Sequence, residues 1–202
     1  MPLTTHGLTP NLTDALRASF DSTFHNVEIG VIGSGPLTHG RLTETNSADW
    51  REQVDRALDS IALAQRIALA ATEFNRHATI LFLTNPPATF SDPGLILSAV
   101  SESVLEGFVQ TGGIWAVNKD AACNIARLRY TGLNSADSDS DSDSESDSDL
   151  DSIDDAGIVG LVGRLLSPDA RHIRNSVVSL DRRGLVVTNA GGSSPLLGLK
   201  DI

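Results

Sequence analysis

A chain of 202 residues with 40% apolar residues is long enough for one domain with a sizeable core, and its aromatic content of 4% leaves that core to Leu, Ile, Val and Ala. The single Cys123 excludes an internal disulfide framework and sets a reducing, cytoplasmic compartment as the expectation. The net charge of −11 is local: ten acids and no bases lie between Asp137 and Asp155, and the remaining 16 acids against 15 bases leave a charge of −1. No basic stripe remains to hold a phosphate backbone, which excludes nucleic acid as a direct partner. No apolar run approaches the roughly 18 residues of a membrane span, and the Met1–His6 start has neither the basic nor the apolar part of a secretory signal.

In chain order, Asn11 to Phe24 places Leu12, Ala15, Leu16, Phe20 and Phe24 at three- and four-residue spacing, which predicts an amphipathic helix. Val27 to Ile32 predicts a short buried strand that ends at Gly33, Gly35 and Pro36. Asp49 to Asn75 predicts a long helix, with Ser47 or Asp49 as its cap. Thr79 to Leu83 is a second strand, stopped by Asn85, Pro86 and Pro87; Leu97 to Val117 is a helix, and Ala122 to Tyr130 contains a third strand. The alternating Asp and Ser of residues 136–153 offer nothing to bury and repel one another, so this stretch is expected to be a disordered, solvated loop. It has neither the turn glycine nor the terminal Glu of an EF-hand, and its serines lie in acidic contexts that some kinases favour. Asp155 to Leu166 then predicts a helix and Ser176 to Leu180 a fourth strand. Apolar strands alternating with helices indicate an α/β domain built on a parallel sheet covered on both faces.

The order and spacing of several pieces resemble the short-chain dehydrogenase/reductase family, in particular a degenerate 3-oxoacyl-ACP-reductase-like member. From Asp154 to Ile173, an acidic helix start leads to an apolar helix and to the Leu165-x-Ser167-x-x-Ala170 pattern, followed by a strand ending at Asp181. The family has two glycines after that Asp, where this chain has Arg182 and Arg183 before Gly184. Ser98 to Phe108, with Leu105 and Gly107 fixing the register, resembles the family's active-site helix, and Trp50, Val54 and Asp55 resemble the start of the helix before it. Gly33, Ser34 and Gly35 stand where the family has Asn-Asn-Ala-Gly, and Asn124 where it has the Asn of a Val-Asn strand.

The resemblance implies a Rossmann-like parallel sheet flanked by helices, lacking the first strands and the cofactor-binding half, because only about two dozen residues precede Val27. Residues 1–202 are expected to form a single truncated domain of this kind. The resemblance also implies a lost catalytic tetrad. The tyrosine and lysine of Tyr-x-x-x-Lys fall on Ser98 and Glu102, the catalytic serine falls on Asn85 beside Thr84, and the asparagine falls on Ala57. A serine hydroxyl is too weak an acid to replace a phenol, and a neighbouring Glu raises the pKa of an acid where Lys lowers it. Tyr130, the one tyrosine, lies far from this helix in sequence.

Other chemistry is scarce. The Gly33-x-Gly35 pair reads as a strand-end turn, and Gly191-Gly192 as a tail with no Walker lysine after it. The five histidines have no metal-ligand spacing, and Cys123 reads as core filler. No cofactor, metal or catalytic site is therefore expected. The elements through which the family's subunits associate are retained, so the expected function is that of an inactive subunit paired with itself or with an active short-chain dehydrogenase/reductase. Two alternatives stand beside it: a small-ligand or acyl-chain binding module, and an enzyme of different chemistry using Glu102, Asn85 or Asp92.

Overall fold

A computed structural model describes residues 3–20, 27–35, 38, 40–84, 94–118, 121–127, 129–130, 152–167, 170, 173, 175–181 and 184–189. In chain order the elements are β1 (Leu3–His6), α1 (Pro10–Phe20), β2 (Val27–Gly33), α2 (Ser47–Glu73), β3 (His77–Thr84), α3 (Ile96–Asn118), β4 (Ala121–Arg127), β5 (Arg129–Tyr130), β6 (Ser152–Ile153), α4 (Asp155–Leu165), β7 (Ser176–Asp181) and β8 (Gly184–Asn189). Six strands form one sheet in the order β1-β2-β3-β4-β7-β8, parallel except for the β7–β8 hairpin. Strands β5 and β6 pair separately.

The sheet separates two apolar layers. Because side chains alternate along a strand, Ile29, Val31, Leu81 and Leu83 face α1 and α4, where they meet Leu12, Leu16, Phe20, Ile158 and Leu161. The intervening Ile32, Ile80 and Phe82, with Cys123, face α2 and α3, where Ala57, Ala64, Ala68 and Leu105 cover them. Alanines on α2 let that helix lie close to the sheet. Gly30 makes the same allowance from below, since a Cβ there would meet the Ile67 side chain at 2.7 Å.

The α/β reading and its helices stand, with these differences. The segment before Val27 holds a strand as well as a helix: β1 pairs in parallel with β2 through Leu3–Ile29 to His6–Ile32, so β2 has a paired strand on either side. The cap of α2 is Asn46, not Ser47 or Asp49. Its Oδ1 accepts from the N–H groups of Ala48 (2.7 Å) and Asp49 (3.3 Å), while Asp49 Oδ2 accepts from the Asn46 N–H at 2.8 Å. This reciprocal box satisfies donors at both ends of the first turn. The sixth strand of the main sheet, β8, which the sequence reading does not include, runs antiparallel to β7; the third strand ends at Arg127, and Arg129–Tyr130 belongs to the small second sheet. Most of the acidic stretch 136–153 lies outside the described residues, apart from β6 at its end.

Asn124 has a structural task. Fully buried in β4, it donates from Nδ2 to the Ile173 carbonyl at 3.2 Å and accepts at Oδ1 from the Ser176 N–H at 3.1 Å. One side-chain amide thus satisfies two backbone groups where the chain enters β7, which a buried asparagine must do to offset its desolvation.

Candidate functional site

Of the positions that the resemblance assigns to a tetrad, Ser98, Glu102 and Ala57 lie where the first turns of α3 meet α2 and the segment after β2. Ser98 is buried near the start of α3, and its Oγ accepts from the Thr38 N–H at 2.8 Å and reaches the Thr38 carbonyl at 3.4 Å. Ser101 Oγ donates to the Ser98 carbonyl at 2.9 Å, and Glu102 is buried one turn on from Ser98. Ala57 lies on the inner face of α2 in the same apolar cluster as Ile32, Phe82 and Leu105, so the asparagine position holds a methyl group in a dry layer. Asn85 and Asp92 lie outside the described residues. The structure therefore brings Ser98 and Glu102 together and seats Ala57 in the adjoining core.

Two residues of this region were missed from the sequence. Thr38 is held from three directions: its N–H by Ser98, and its Oγ1 by Gln53 Nε2 at 2.8 Å and Arg56 Nη1 at 3.5 Å. Arg56 also pairs with Glu52 one turn earlier, at 2.5 Å. Two residues beyond Thr38, the Gly40 N–H donates to the Gly94 carbonyl at 2.7 Å, and Gly40 bridges to Leu95. Thr38 and Gly40 thus form a strap tied to the start of α3, at Ser98 and at Gly94 and Leu95. Gln53 left a sequence signal, a polar residue on the α2 face otherwise lined by Ala57, Ala64 and Ala68. Thr38 left none.

The Thr84 hydroxyl at the end of β3 is buried and has no hydrogen-bond partner among the described residues. It lies on the same sheet face as Phe82, under α2 and α3. Beside the strap a cavity of about 310 Å³ is lined by Thr38, Glu44, Asp49, Glu52, Gln53 and Arg56, with neither Ser98 nor Glu102 in its wall. Its charged lining does not suit an acyl chain.

A nicotinamide dinucleotide, which the resemblance brings to mind, needs a glycine-rich strand–helix turn whose free N–H groups meet a pyrophosphate. The corresponding turn here runs from β1 to α1 and does not fit. Gly7 is its one glycine, with φ +64°. Pro10 opens the helix without an N–H, and the Leu12 N–H already donates to Thr9 Oγ1 at 3.3 Å. The face of Gly7 that a phosphate would approach is limited too, because a Cβ there would stand 2.8 Å from the Gly33 carbonyl oxygen.

Among the described residues no group of three His, Cys, Asp or Glu side chains could hold a metal ion, and no helix is long and apolar enough to cross a membrane. Cys123 is buried in β4 against the α2–α3 layer, and burial pushes its thiol up to about 12. The neutral thiol is the form the core accommodates, so Cys123 is a packing residue. Two outcomes are expected. An aromatic disulfide reagent at mildly alkaline pH labels the unfolded chain and leaves the native chain essentially unlabelled. Between about pH 9, where an unfolded thiol ionises, and pH 12, the unfolded state carries fewer protons than the native state. Stability then falls as pH rises, by up to about 1.4 kcal/mol per pH unit from this group, and Cys123→Ala removes that slope. Denaturant titrations across this range would show it, and identical slopes in both proteins would refute the burial argument.

No protein-family model and no curated protein matches the chain. Solved structures do. A short-chain dehydrogenase from Bacillus anthracis superposes with a TM-score of 0.64 at 15% identity, covering 89% of this chain and 84% of the other. A short-chain dehydrogenase/reductase from Serratia marcescens gives 0.57 at 18% identity over 84% of this chain and 71% of its own. An acetoin dehydrogenase from Salmonella typhimurium gives 0.62 at 15% identity over 76% and 62%. At these identities the likeness is one of fold.

Proposed function

We propose that this chain, which has the short-chain dehydrogenase/reductase fold, is a non-catalytic subunit that acts in the cytoplasm through assembly, with itself or with a complete protein of the same fold. The observation that carries the reading is the hydrogen bond between Ser98 Oγ and the Thr38 N–H. The side chain at the position that the resemblance assigns to the tyrosine is engaged with the Thr38 backbone, and a serine there has no phenol to act on a substrate carbonyl. Ala57 supports the same reading, because it offers no polar group for a proton-relay water. So does the β1–α1 turn, where Pro10 has no N–H and the Leu12 N–H is already engaged by Thr9 Oγ1.

The reading is tested on the purified full chain. Titration with NADH and NADPH followed by nicotinamide fluorescence is expected to give no saturable binding. Turnover of aldehydes, ketones and 3-oxoacyl thioesters is expected to stay at the level of a buffer blank. Saturable binding of either cofactor with substrate-dependent oxidation would overturn it.

A further inference from the structure

We propose that the cavity between the strap and the first turns of α2 is a binding site for a short aliphatic diamine in its doubly protonated form. The site is independent of the assembly reading above.

Helix α2 supplies most of the wall. Asp49, Glu52, Gln53 and Arg56 follow the three- and four-residue spacing of a single helix face. Glu44, in the turn before the helix, and Thr38, in the strap, complete the polar part. The rest is apolar: Leu97 is buried, and a Cβ on Gly40 would stand 3.0 Å from the Thr45 methyl group and 3.2 Å from Leu97 Cδ1. At about 310 Å³ the cavity falls at the lower end of the range of about 300–1,000 Å³ in which small molecules bind.

What the polar groups still have to offer decides the ligand. The donors are engaged: Gln53 Nε2 donates to Thr38 Oγ1 at 2.8 Å, and Arg56 gives Nη1 to Thr38 Oγ1 at 3.5 Å and Nη2 to Glu52 Oε1 at 2.5 Å. The acceptors are not. Gln53 is only 5% exposed and lines the cavity, yet its Oε1 accepts no hydrogen bond among the described residues. A buried amide oxygen left in that state favours a ligand that brings an N–H or O–H to it. Asp49 uses Oδ2 on the Asn46 N–H and Glu52 uses Oε1 on Arg56, which leaves Asp49 Oδ1 and Glu52 Oε2 open. The Glu44 carboxylate has no hydrogen bond or ion pair among the described residues.

Three carboxylates, of Glu44, Asp49 and Glu52, against the one Arg56 guanidinium give this lining a charge of −2. A metal dication does not fit, because among the described residues no group of three acidic side chains could coordinate one. Carboxylates that are spread around a cavity suit a cation whose two charges are themselves separated. The methylenes between its ammonium groups can lie along Leu97 and the Thr45 methyl group, and each ammonium brings three donors to a wall of acceptors.

The test is isothermal titration calorimetry of the full chain with 1,4-diaminobutane in about 0.15 M salt, which screens loose counter-ion binding. One saturable site per chain is expected, with n-butylamine about tenfold weaker and magnesium chloride at equal concentration no competitor. Gln53→Met keeps the length of the side chain and removes its acceptor, and is expected to weaken the diamine about tenfold or more. Glu44→Gln, on the exposed turn, is expected to weaken it about three- to fivefold, and keeps the idea falsifiable should Gln53→Met disturb the strap. Asp141→Asn with Asp143→Asn, in the acidic stretch, is expected to change nothing, with circular dichroism as the fold control throughout. The site would be overturned by a wild-type chain that shows no saturable binding, or by wild-type affinity in a folded Gln53→Met or Glu44→Gln variant. Affinity that falls with the acidic stretch instead of with Gln53 and Glu44 would overturn it as well.

Discussion

Gly33→Ala is expected to lower the thermal midpoint by roughly 6–12 °C, from a stability loss of about 3 kcal/mol. The cause is local and steric. The Gly7 carbonyl oxygen already occupies the place a Cβ on Gly33 would take, with the Gly7 carbonyl carbon and the Leu8 side chain each 3.1 Å from that point. Neither Gly7 nor Gly33 can yield cheaply, because each is backbone at the end of a paired strand, and separating them breaks the β1–β2 register. Two control substitutions separate crowding from chain entropy. Gly35 has open space but φ +82°, so Gly35→Ala is expected to cost about 1 kcal/mol from the backbone alone. Gly160 lies exposed in α4 with nothing near a new Cβ, and Gly160→Ala is expected to stabilise by about 0.5–1 kcal/mol. Equal midpoints for the Gly33 variant and the wild-type chain in calorimetry would show that β1 does not press on β2 as described.

Rebuilding the missing pair, Ser98→Tyr with Glu102→Lys, is expected to damage the fold without creating an enzyme. Ser98 is 4% exposed, and its hydroxyl sits at hydrogen-bond distance from the Thr38 backbone, so a tyrosine ring must displace the strap. Overpacking costs about 1–3 kcal/mol, and the lost hydrogen bond adds about 1 kcal/mol. Lys at position 102, where Glu102 is 6% exposed, adds the penalty of burying a cation in place of a carboxylate. The sum, about 4 kcal/mol, would appear as a large shift in urea midpoint, with nicotinamide turnover still absent. A stable double variant that oxidises NADH would mean that the cofactor site is intact and that two substitutions alone separate this chain from an enzyme.

What the sequence revealed and what it withheld follow from the range of the interactions involved. The helices were legible because their signal is periodic and local: Leu12, Leu16 and Phe20 fall on one side of α1, and the alanine stripe of α2 recurs at helical spacing. β2 and β3 were legible as short apolar runs. β1 was not, because its four residues bring one buried apolar side chain, Leu3, and two threonines that look like turn material. β8 carries Leu185, Val186 and Val187, an apolar run of only three residues, too short to mark a strand by itself. At the site, positions 57, 98 and 102 are assigned by register to the resemblance alone; residue 57 lies on α2 and residues 98 and 102 lie on α3. The use made of Ser98 was not legible, because its partner Thr38 is 60 residues away and reaches it through backbone. A residue type indicates what a side chain could do; only the fold shows what has already been done with it.

The layer arrangement has one further consequence, for handedness. The parallel strands run β1-β2-β3-β4-β7 across the sheet in the order of the chain, so all four crossovers step in the same direction. Yet α1 and α4 lie on one face, and α2 and α3 on the other. Equal steps over opposite faces have opposite hands, so two of the four crossovers must be left-handed, against a rule that right-handed connections satisfy about 98% of the time. The β2-α2-β3 and β3-α3-β4 units share one hand, and β1-α1-β2 and β4-α4-β7 share the other. The two connections of that second pair lean on each other: Phe20 of α1 shares one apolar cluster with Ile158, Leu161 and Val162 of α4, and a Cβ added to Gly163 would stand 3.7 Å from its ring. Neither helix has another helix beside it on that face among the described residues, so the hand of the first crossover is held in place by the last. The two ends of the described fold are therefore topologically interdependent, and loosening α4 should release α1.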